Sequence, residues 1–176
     1  VVARRLKAAH FPVHTFLLAR AEDASGDARA HLEQIRTAGL EIQEITCDEG
    51  VEVLIRSVEA SDLVVDAVFG TGLRGGARGL SALAVEAVNR AGRPVVAVDV
   101  PSGLDADTGQ AEGPCIQAGL TVTFALPKIG HFFFPGRALC GALRLIDIGI
   151  PEAAVDAEGI GVHLTTGADV RSWLPR

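Results

Sequence analysis

Two stretches of almost continuously apolar residues constrain the fold of this chain more than any other feature. Residues 63–69 are interrupted only by Asp66 and run into Gly70, and residues 94–98 are followed by Asp99. A strand with one face in water alternates apolar and polar residues, whereas a strand buried on both faces is apolar throughout. Both stretches are therefore predicted to be central strands of a parallel sheet covered by helices on both sides.

Strand and helix patterns alternate along the rest of the chain. Further strands are predicted at residues 13–18, 41–46, 120–126 and 142–148, and helices at 1–9, 51–59, 80–91 and 168–174, with another around Ala28, Leu32 and Ile35. This alternation is typical of an α/β domain. Such sheets bind ligands in the crevice beyond the carboxyl ends of their strands, so the candidate site is expected there.

Composition narrows the class of protein. The 176 residues suffice for one domain with a full core. A net charge of −6 argues against a nucleic-acid partner. No apolar run reaches membrane-spanning length and no leader opens the chain, which predicts a soluble cytoplasmic protein without a membrane partner. Cys47, Cys115 and Cys140 are far apart and unpatterned, as is typical of reduced thiols. Helical spacing that is already under way at Val1 predicts that an upstream segment has been removed.

A glycine-rich loop follows the strand at residues 63–69. Glycines at such a point let successive backbone N–H groups face an anion, and the helix predicted from residue 80 adds the positive end of its dipole. This pattern favours a phosphate-binding loop over an unliganded turn. The G-x-G-x-x-G spacing is present but follows a late strand, so it is a weak dinucleotide fingerprint. The candidate binding residues are Gly70, Thr71, Gly72, Leu73, Arg74, Gly75 and Gly76.

The second candidate segment follows the strand at residues 94–98. Asp99 and the Ser102 hydroxyl are expected at the mouth of the crevice, because a carboxylate leaves a buried strand and a Pro-Ser-Gly turn follows it. Ser102 is not predicted to be a hydrolase nucleophile, since Val100 stands where a nucleophile elbow needs glycine. Asp105 and Asp107 are interpreted as solvated turn residues.

Asp66 is a carboxylate inside an apolar strand and needs a partner. Two alternatives stay open: a cation held by Asp66, Ser102 and nearby carbonyls, or hydrogen bonds from neighbouring backbone N–H groups. Lys128 ends another strand and is interpreted as a surface lysine, although it could face the same crevice. His131, beside three phenylalanines, is interpreted as a packing or loop residue.

Five segments occur in an order that resembles the NAD(P)H-hydrate epimerase family, the YjeF N-terminal domain. They are D-A-V-F-G-T-G-L-R-G, V-D-V-P-S-G-L-D-A-D-T-G, T-V-T-F-A-L-P-K, P-G and D-I-G-I-P. The resemblance implies a Rossmann-like three-layer fold with a mainly parallel central sheet. It also implies an isomerase that interconverts the R and S forms of hydrated NADH and NADPH. By motif, Asp66 and Ser102 would be potassium ligands, and residues 70–76 and Asp99 would contact the substrate.

The resemblance also bears on organisation and mechanism. The family's Asn-Asn-Gly-Gly-Asp-Gly signature would precede a helix that begins like Val1, so the first strand, the N-terminal helices and one cation ligand are expected outside this sequence. Whether the fragment alone is active stays open. Residues 1–166 are assigned to the epimerase-like domain, and residues 167–176 to the start of a linker toward an ADP/ATP-dependent dehydratase, fused or separate. A homodimer is also left open.

Asp99 is the candidate acid–base residue of the reaction. We expect inversion at C6 of the hydrate to proceed through loss and return of water, with Asp99 as the acid and base of that exchange; ring opening stays open as an alternative route. Two other functions remain open: a non-catalytic nucleotide-binding or protein-interaction module of the same fold, and an NAD-dependent dehydrogenase domain. The missing early glycine fingerprint and acidic ribose-binding residue disfavour the dehydrogenase.

Overall fold

A computed structural model describes residues 1–174 of the chain. These residues form two compact units, Val1–Ile146 and a smaller one that begins at Asp147. The strands of the first unit are β1 (Thr15–Leu17), β2 (Ile42–Glu44), β3 (Val64–Asp66), β4 (Val95–Val98), β5 (Leu120–Phe124) and β6 (Ala142–Ile146). Its helices are α1 (Val2–Ala8), α2 (Gly26–Thr37), α3 (Asp48–Glu59), α4 (Leu80–Ala91) and α5 (Gly136–Leu139), with short 3₁₀ turns at Ala21–Asp23 and Ile129–His131.

Every strand pair in the described residues is parallel. β3, β4, β5 and β6 form a four-stranded sheet in that order, and β1 pairs with β2 in a separate two-stranded ladder. Asp66 is in register with Ala97, and Val98 with Val122, so the strands end at one common edge. The α/β class and the parallel, Rossmann-like sheet expected from the sequence are confirmed.

The main core lies between the sheets and helices α3 and α4. Helix α3 buries Val51, Leu54 and Val58, whose spacing of three and four residues places them on one face. Helix α4 buries the run from Ala84 to Val88 except Glu86, and Gly92 ends it in the left-handed conformation that glycine adopts without strain. The β1–β2 ladder belongs to this core, because the fully buried Ile45 follows β2. Burial on this scale stabilises a domain at about 25 cal/mol per Å² of apolar surface.

Two differences from the sequence prediction concern element ends and short helices. β3 ends at Asp66 rather than at Phe69, because the Asp66 side chain accepts the Val68 N–H and turns the chain away from the ladder. The helices α5 and α6 (Glu152–Ala157) were not predicted. They span four and six residues, which is too short for a helical period to emerge from the sequence.

The second unit contains α6 and α7 (Gly167–Trp173). The helix predicted at residues 168–174 is thus confirmed as α7. Thr166 caps it: its side-chain oxygen accepts the Asp169 N–H at 3.3 Å, while the Asp169 carboxylate accepts the Thr166 N–H at 2.7 Å. The domain boundary predicted after residue 166 stays a prediction. No helix in residues 1–174 combines the length and apolar character needed to cross a bilayer.

Candidate functional site

The site lies at the edge of the sheet where β3, β4 and β5 end. Parallel strands put their carboxyl ends on the same side, so the residues that follow neighbouring strands meet there. Asp66 is the last residue of β3, Asp99 follows β4 directly, and Thr123 lies near the end of β5. The three side chains belong to adjacent strands in the order β3–β4–β5.

Asp66 and Ser102 form a buried pair, as the sequence led us to expect. The Ser102 hydroxyl donates to Asp66 Oδ1 at 2.6 Å, and the Ser102 N–H donates to Oδ2 at 2.8 Å. The Ser102 oxygen in turn accepts the Phe69 N–H at 2.9 Å, which ties the start of the glycine loop to this pair. Asp66 is 3% exposed and Ser102 fully buried.

Electrostatically, Asp66 is a buried acid without a cationic side chain beside it in the described residues. Burial raises the pKa of Asp66 above its ordinary value, and the hydrogen bonds from Ser102 and Val68 oppose that shift. Both alternatives for Asp66 thus keep support, because the backbone N–H groups are there while a buried charge still lacks a cation. No three His, Cys, Asp or Glu side chains cluster into a metal site within residues 1–174.

Asp99 is held in place through almost all of its polar atoms. Its N–H donates to the Val122 carbonyl at 2.7 Å, and its own carbonyl lies 3.0 Å from His131 Nε2. Its Oδ1 accepts the Lys128 ammonium at 2.5 Å and the Thr123 hydroxyl at 2.9 Å. Its φ of +70° is a left-handed conformation that is uncommon for a residue other than glycine. Such a conformation persists only where the surroundings enforce it, and it often marks a functional position.

Lys128 is not a surface lysine, so that interpretation of the sequence was wrong. Its side chain is 21% exposed, and Nζ donates to Asp99, to the Thr123 hydroxyl at 2.9 Å and to the Phe124 carbonyl at 3.2 Å. Two of these partners, Thr123 and Phe124, lie in β5, and Asp99 follows β4. The sequence carried one usable signal: Lys128 comes just after a strand that pairs with the strand before Asp99.

His131 is buried, as a packing residue would be, but it also fixes the Asp99 backbone. Its Nδ1 accepts the Lys128 N–H at 3.1 Å, so Nε2 carries the proton and donates to the Asp99 carbonyl. Burial lowers the pKa of His131, and the hydrogen bond with Asp99 opposes that shift. The neutral ring is therefore the form that fits this environment.

The glycine loop is open above its first residues and tightly packed at its end. A Cβ added at Gly70 or Gly72 would meet no atom within 4 Å. Gly76 has a φ of +74°, and a Cβ there would lie 3.0 Å from the Glu112 carbonyl carbon. The loop leads to α4 through Gly79. Open space above exposed backbone, followed by a helix N-terminus, is the arrangement that the phosphate-loop prediction requires.

Arg74 links the glycine loop to the segment after Asp99. Its guanidinium lies 3.4 Å from the Asp105 carboxylate and 2.8 Å from that of Asp107. Asp107 is solvated, as predicted. Asp105 lies at the same turn with a partly exposed side chain, and its Oδ1 accepts the N–H groups of Asp107 and Thr108, both at 2.9 Å. The bond from Thr108 is the main reason why the pKa of Asp105 lies below its ordinary value. The two loops therefore approach each other through side-chain ion pairs.

A cavity of about 600 Å³ lies where β1 and β2 end. Arginine and glutamate side chains line it in equal numbers, so it has no net charge preference. Cys115 and Cys140 are buried free thiols, and burial raises the pKa of Cys115 to about 12. Such a thiol is poorly suited to nucleophilic chemistry at neutral pH.

Parallel strands, a glycine loop and an anchored acidic residue at the carboxyl edge define a Rossmann-like α/β domain whose candidate site lies at that edge. Residues 1–130 match the family described as YjeF-related protein N-terminus, and the chain belongs to this family.

Curated proteins and a solved structure are similar to this chain over most of its length. A bifunctional NAD(P)H-hydrate repair enzyme of Moorella thermoacetica is 48% identical over 176 residues, which are 100% of this chain and 33% of the relative. An NAD(P)H-hydrate epimerase of Pirellula staleyi is 33% identical over 156 residues, 89% of this chain and 69% of the relative. The crystal structure of yeast ynu0 (YNL200c) matches with a TM-score of 0.71 at 22% identity, covering 96% of this chain and 68% of that one. The chain thus spans about a third of the bifunctional relatives that it matches.

Proposed function

We propose that this chain is an NAD(P)H-hydrate epimerase, an isomerase that interconverts the R and S forms of hydrated NADH and NADPH in nicotinamide nucleotide repair. Family membership and the activities in the relatives' names support the substrate class. The observation that carries the proposal is Asp99. This residue is fixed by β4, β5 and the segment that bears Lys128, and it lies at the edge of the sheet where a ligand binds.

Asp99 is the acid–base residue in this proposal. The reacting carbon of the hydrate carries a hydroxyl and is bonded to the ring nitrogen, so its inversion requires proton transfer at that hydroxyl. A carboxylate fixed within hydrogen-bond reach of a substrate hydroxyl typically accelerates such a step by about 10²- to 10⁴-fold. The left-handed backbone of Asp99 and its two side-chain partners would keep the carboxylate from swinging away.

The glycine loop binds the phosphates of the nucleotide in this proposal. The exposed backbone at Gly70 and Gly72 leaves room for an anion to approach. Arg74 adds positive charge, although its present partners are Asp105 and Asp107. A phosphate would compete for Arg74 with these carboxylates. The binding set is Gly70, Thr71, Gly72, Leu73, Arg74, Gly75 and Gly76 together with Asp99.

Asp66 and Ser102 are the proposed protein ligands of a potassium ion. The fit rests on the donor set, a buried carboxylate and a hydroxyl oxygen with no cationic side chain beside them in the described residues. Hard oxygen donors are the ligands that such cations prefer. The bound ion would supply positive charge next to the glycine loop, because Ser102 is hydrogen-bonded to Phe69 just before that loop.

The proposed partners follow from the same substrate. An ADP/ATP-dependent dehydratase that consumes one epimer would make epimerisation useful, and the names of several relatives describe bifunctional repair enzymes. In our proposal, the dehydratase is fused or separate. A homodimer remains a prediction for which solution mass measurements are the direct check.

The test of this proposal is an epimerisation assay on the purified full-length protein that carries this chain, because one cation ligand is expected outside these 176 residues. The protein is incubated with one separated epimer of hydrated NADH, and the approach to the equilibrium ratio is followed by chromatography. The Moorella thermoacetica relative serves as the positive control, and a protein-free sample gives the spontaneous rate. We expect acceleration well above the spontaneous rate. Substrate binding without acceleration of epimerisation would contradict the enzymatic function and favour a non-catalytic nucleotide-binding module.

A further inference from the structure

One oxygen of Asp99 differs from all other polar atoms of that residue. The backbone N–H, the backbone carbonyl and Oδ1 each have a partner, whereas no hydrogen bond from residues 1–174 reaches Oδ2. The Asp99 side chain is 22% exposed, so this oxygen is not sealed in the core. The site thus presents one defined carboxylate oxygen to a ligand.

The charge state of Asp99 follows from its partner. The Lys128 ammonium donates to Oδ1 at 2.5 Å, and both side chains are largely withdrawn from water. An ion pair in such a place is screened less than one at the surface. All three N–H bonds of Lys128 are used, by Asp99, Thr123 and Phe124. Asp99 is therefore the carboxylate of an ion pair, and Lys128 has no spare N–H for a substrate.

We propose that epimerisation proceeds through ring opening, with Asp99 Oδ2 acting first as a base. The inference rests on the proposed function and specifies its route. The hydroxyl proton on C6 passes to Oδ2, and the C6 oxygen forms a carbonyl. The C6–N1 bond breaks with its electron pair on N1, where conjugation with the ring carboxamide stabilises it.

The return half of the cycle restores the site. Rotation about C5–C6 turns the aldehyde, N1 attacks its other face, and the C6 oxygen takes its proton back from Oδ2. No water, oxidant or reductant is consumed. Lys128 and His131 are positioning residues in this scheme, since one holds the charged carboxylate and the other holds the backbone from which it extends.

The alternative route, loss of the C6 hydroxyl as water, begins with proton donation to that hydroxyl. The charged groups that face Asp99 do not provide this proton. An ion-paired carboxylate carries none, and the ammonium of Lys128 is fully bonded. His131 already uses its single ring proton on the Asp99 carbonyl.

Oxygen labelling separates the two routes. One epimer is incubated in H₂¹⁸O with the full-length protein that carries this chain. The other epimer is isolated at low conversion for mass spectrometry, with a protein-free sample as the blank. Ring opening keeps the original oxygen on C6, so we expect most product molecules to be unlabelled. Water loss and return would place one ¹⁸O in nearly every product molecule, and that result would overturn ring opening while leaving the epimerase function intact. No acceleration over the blank would overturn the function and the route with it.

Variants of Lys128 test the positioning role. Lys128→Met removes the charge and is expected to lower kcat by about 10²-fold with KM changed by less than about threefold, because Lys128 does not touch the substrate. Lys128→Arg keeps a cation beside Oδ1 and is expected to recover at least about a tenth of the wild-type kcat. A parallel loss in kcat and KM for Lys128→Met, or no recovery with Lys128→Arg, would contradict this role.

Discussion

Ser102→Ala is expected to destabilise the domain strongly, although it removes a single oxygen atom. The Ser102 hydroxyl donates to Asp66 Oδ1 at 2.6 Å and accepts the Phe69 N–H at 2.9 Å, and Ser102 is fully buried. A hydrogen bond to a charged group contributes about 1.5–3 kcal/mol and a neutral one about 0.5–1.5 kcal/mol. Water cannot replace either bond at a buried position, so we expect a loss of about 2–4 kcal/mol in the free energy of unfolding.

The assay is urea denaturation followed by circular dichroism, in buffer without potassium. Ser81→Ala is the matched control, because Ser81 Oγ also makes two hydrogen bonds, donating to the Arg78 carbonyl at 2.7 Å and accepting its N–H at 3.2 Å, but at an exposed site. We expect the control to cost less than about 1 kcal/mol, since water replaces what is lost. Similar losses for both variants, at an unchanged m-value, would refute the reasoning about the buried pair.

Three further predictions concern the backbone conformation of Gly103, the protonation of His131 and the cation proposed at Asp66. Gly103→Ala should lower the free energy of unfolding by more than about 3 kcal/mol, because the φ of Gly103 is +103° and a Cβ would lie 2.7 Å from Cys115 Cα. The control Gly149→Ala, at a φ of +80° in open space, should lower it by only about 1 kcal/mol. Equal losses in thermal unfolding would contradict this prediction. Burial lowers the pKa of His131 in the folded chain, so on acidification the unfolded chain takes up this proton first. The stability that the neutral His131 contributes is therefore present above about pH 6.5 and is lost as the pH falls toward the folded pKa, by at most about 1.4 kcal/mol per pH unit. His131→Asn should flatten that part of a plot of Tm against pH. Asp66→Asn should weaken the dependence of epimerisation on potassium, and an unchanged potassium response would count against the metal role.

The sequence was sufficient to predict the sheet edge and the Asp66–Ser102 pair. The strands predicted at residues 63–69 and 94–98 are apolar on both faces, which implies parallel neighbours. Parallel neighbours bring Asp66 and Ser102 together, although these residues are 36 positions apart. Lys128 was misjudged because the path of the chain after β5 depends on tertiary packing, and a lysine in a loop is exposed in most proteins. The hydrogen bonds from the turn N–H groups of Asp107 and Thr108 to Asp105 could not be predicted, because sequence does not show which turn N–H groups lack partners.

The short helices α5 and α6 illustrate a different limit. Helical periodicity is recognisable only over several turns, and neither segment provides them. The twelve-residue α4 begins and ends at the residues predicted for it, Leu80 and Ala91, whereas the equally long α3 begins at Asp48, before its predicted start at residue 51. Gly92 explains the agreement at the end of α4, because a glycine in the left-handed conformation stops a helix at a defined residue.

The central claim is that Asp99 exchanges a proton with the substrate, and Asp99→Asn tests it most directly. Asparagine keeps the shape and can still accept from Lys128 and Thr123 through one oxygen, but it cannot take up a proton. The epimerisation rate and the dissociation constant of the hydrated nucleotide are measured side by side, with the exposed Asp62→Asn as the control. We expect the rate to fall by about 10²-fold or more while binding weakens far less. Equal losses in rate and binding would make Asp99 a binding residue and contradict its role as the acid–base group.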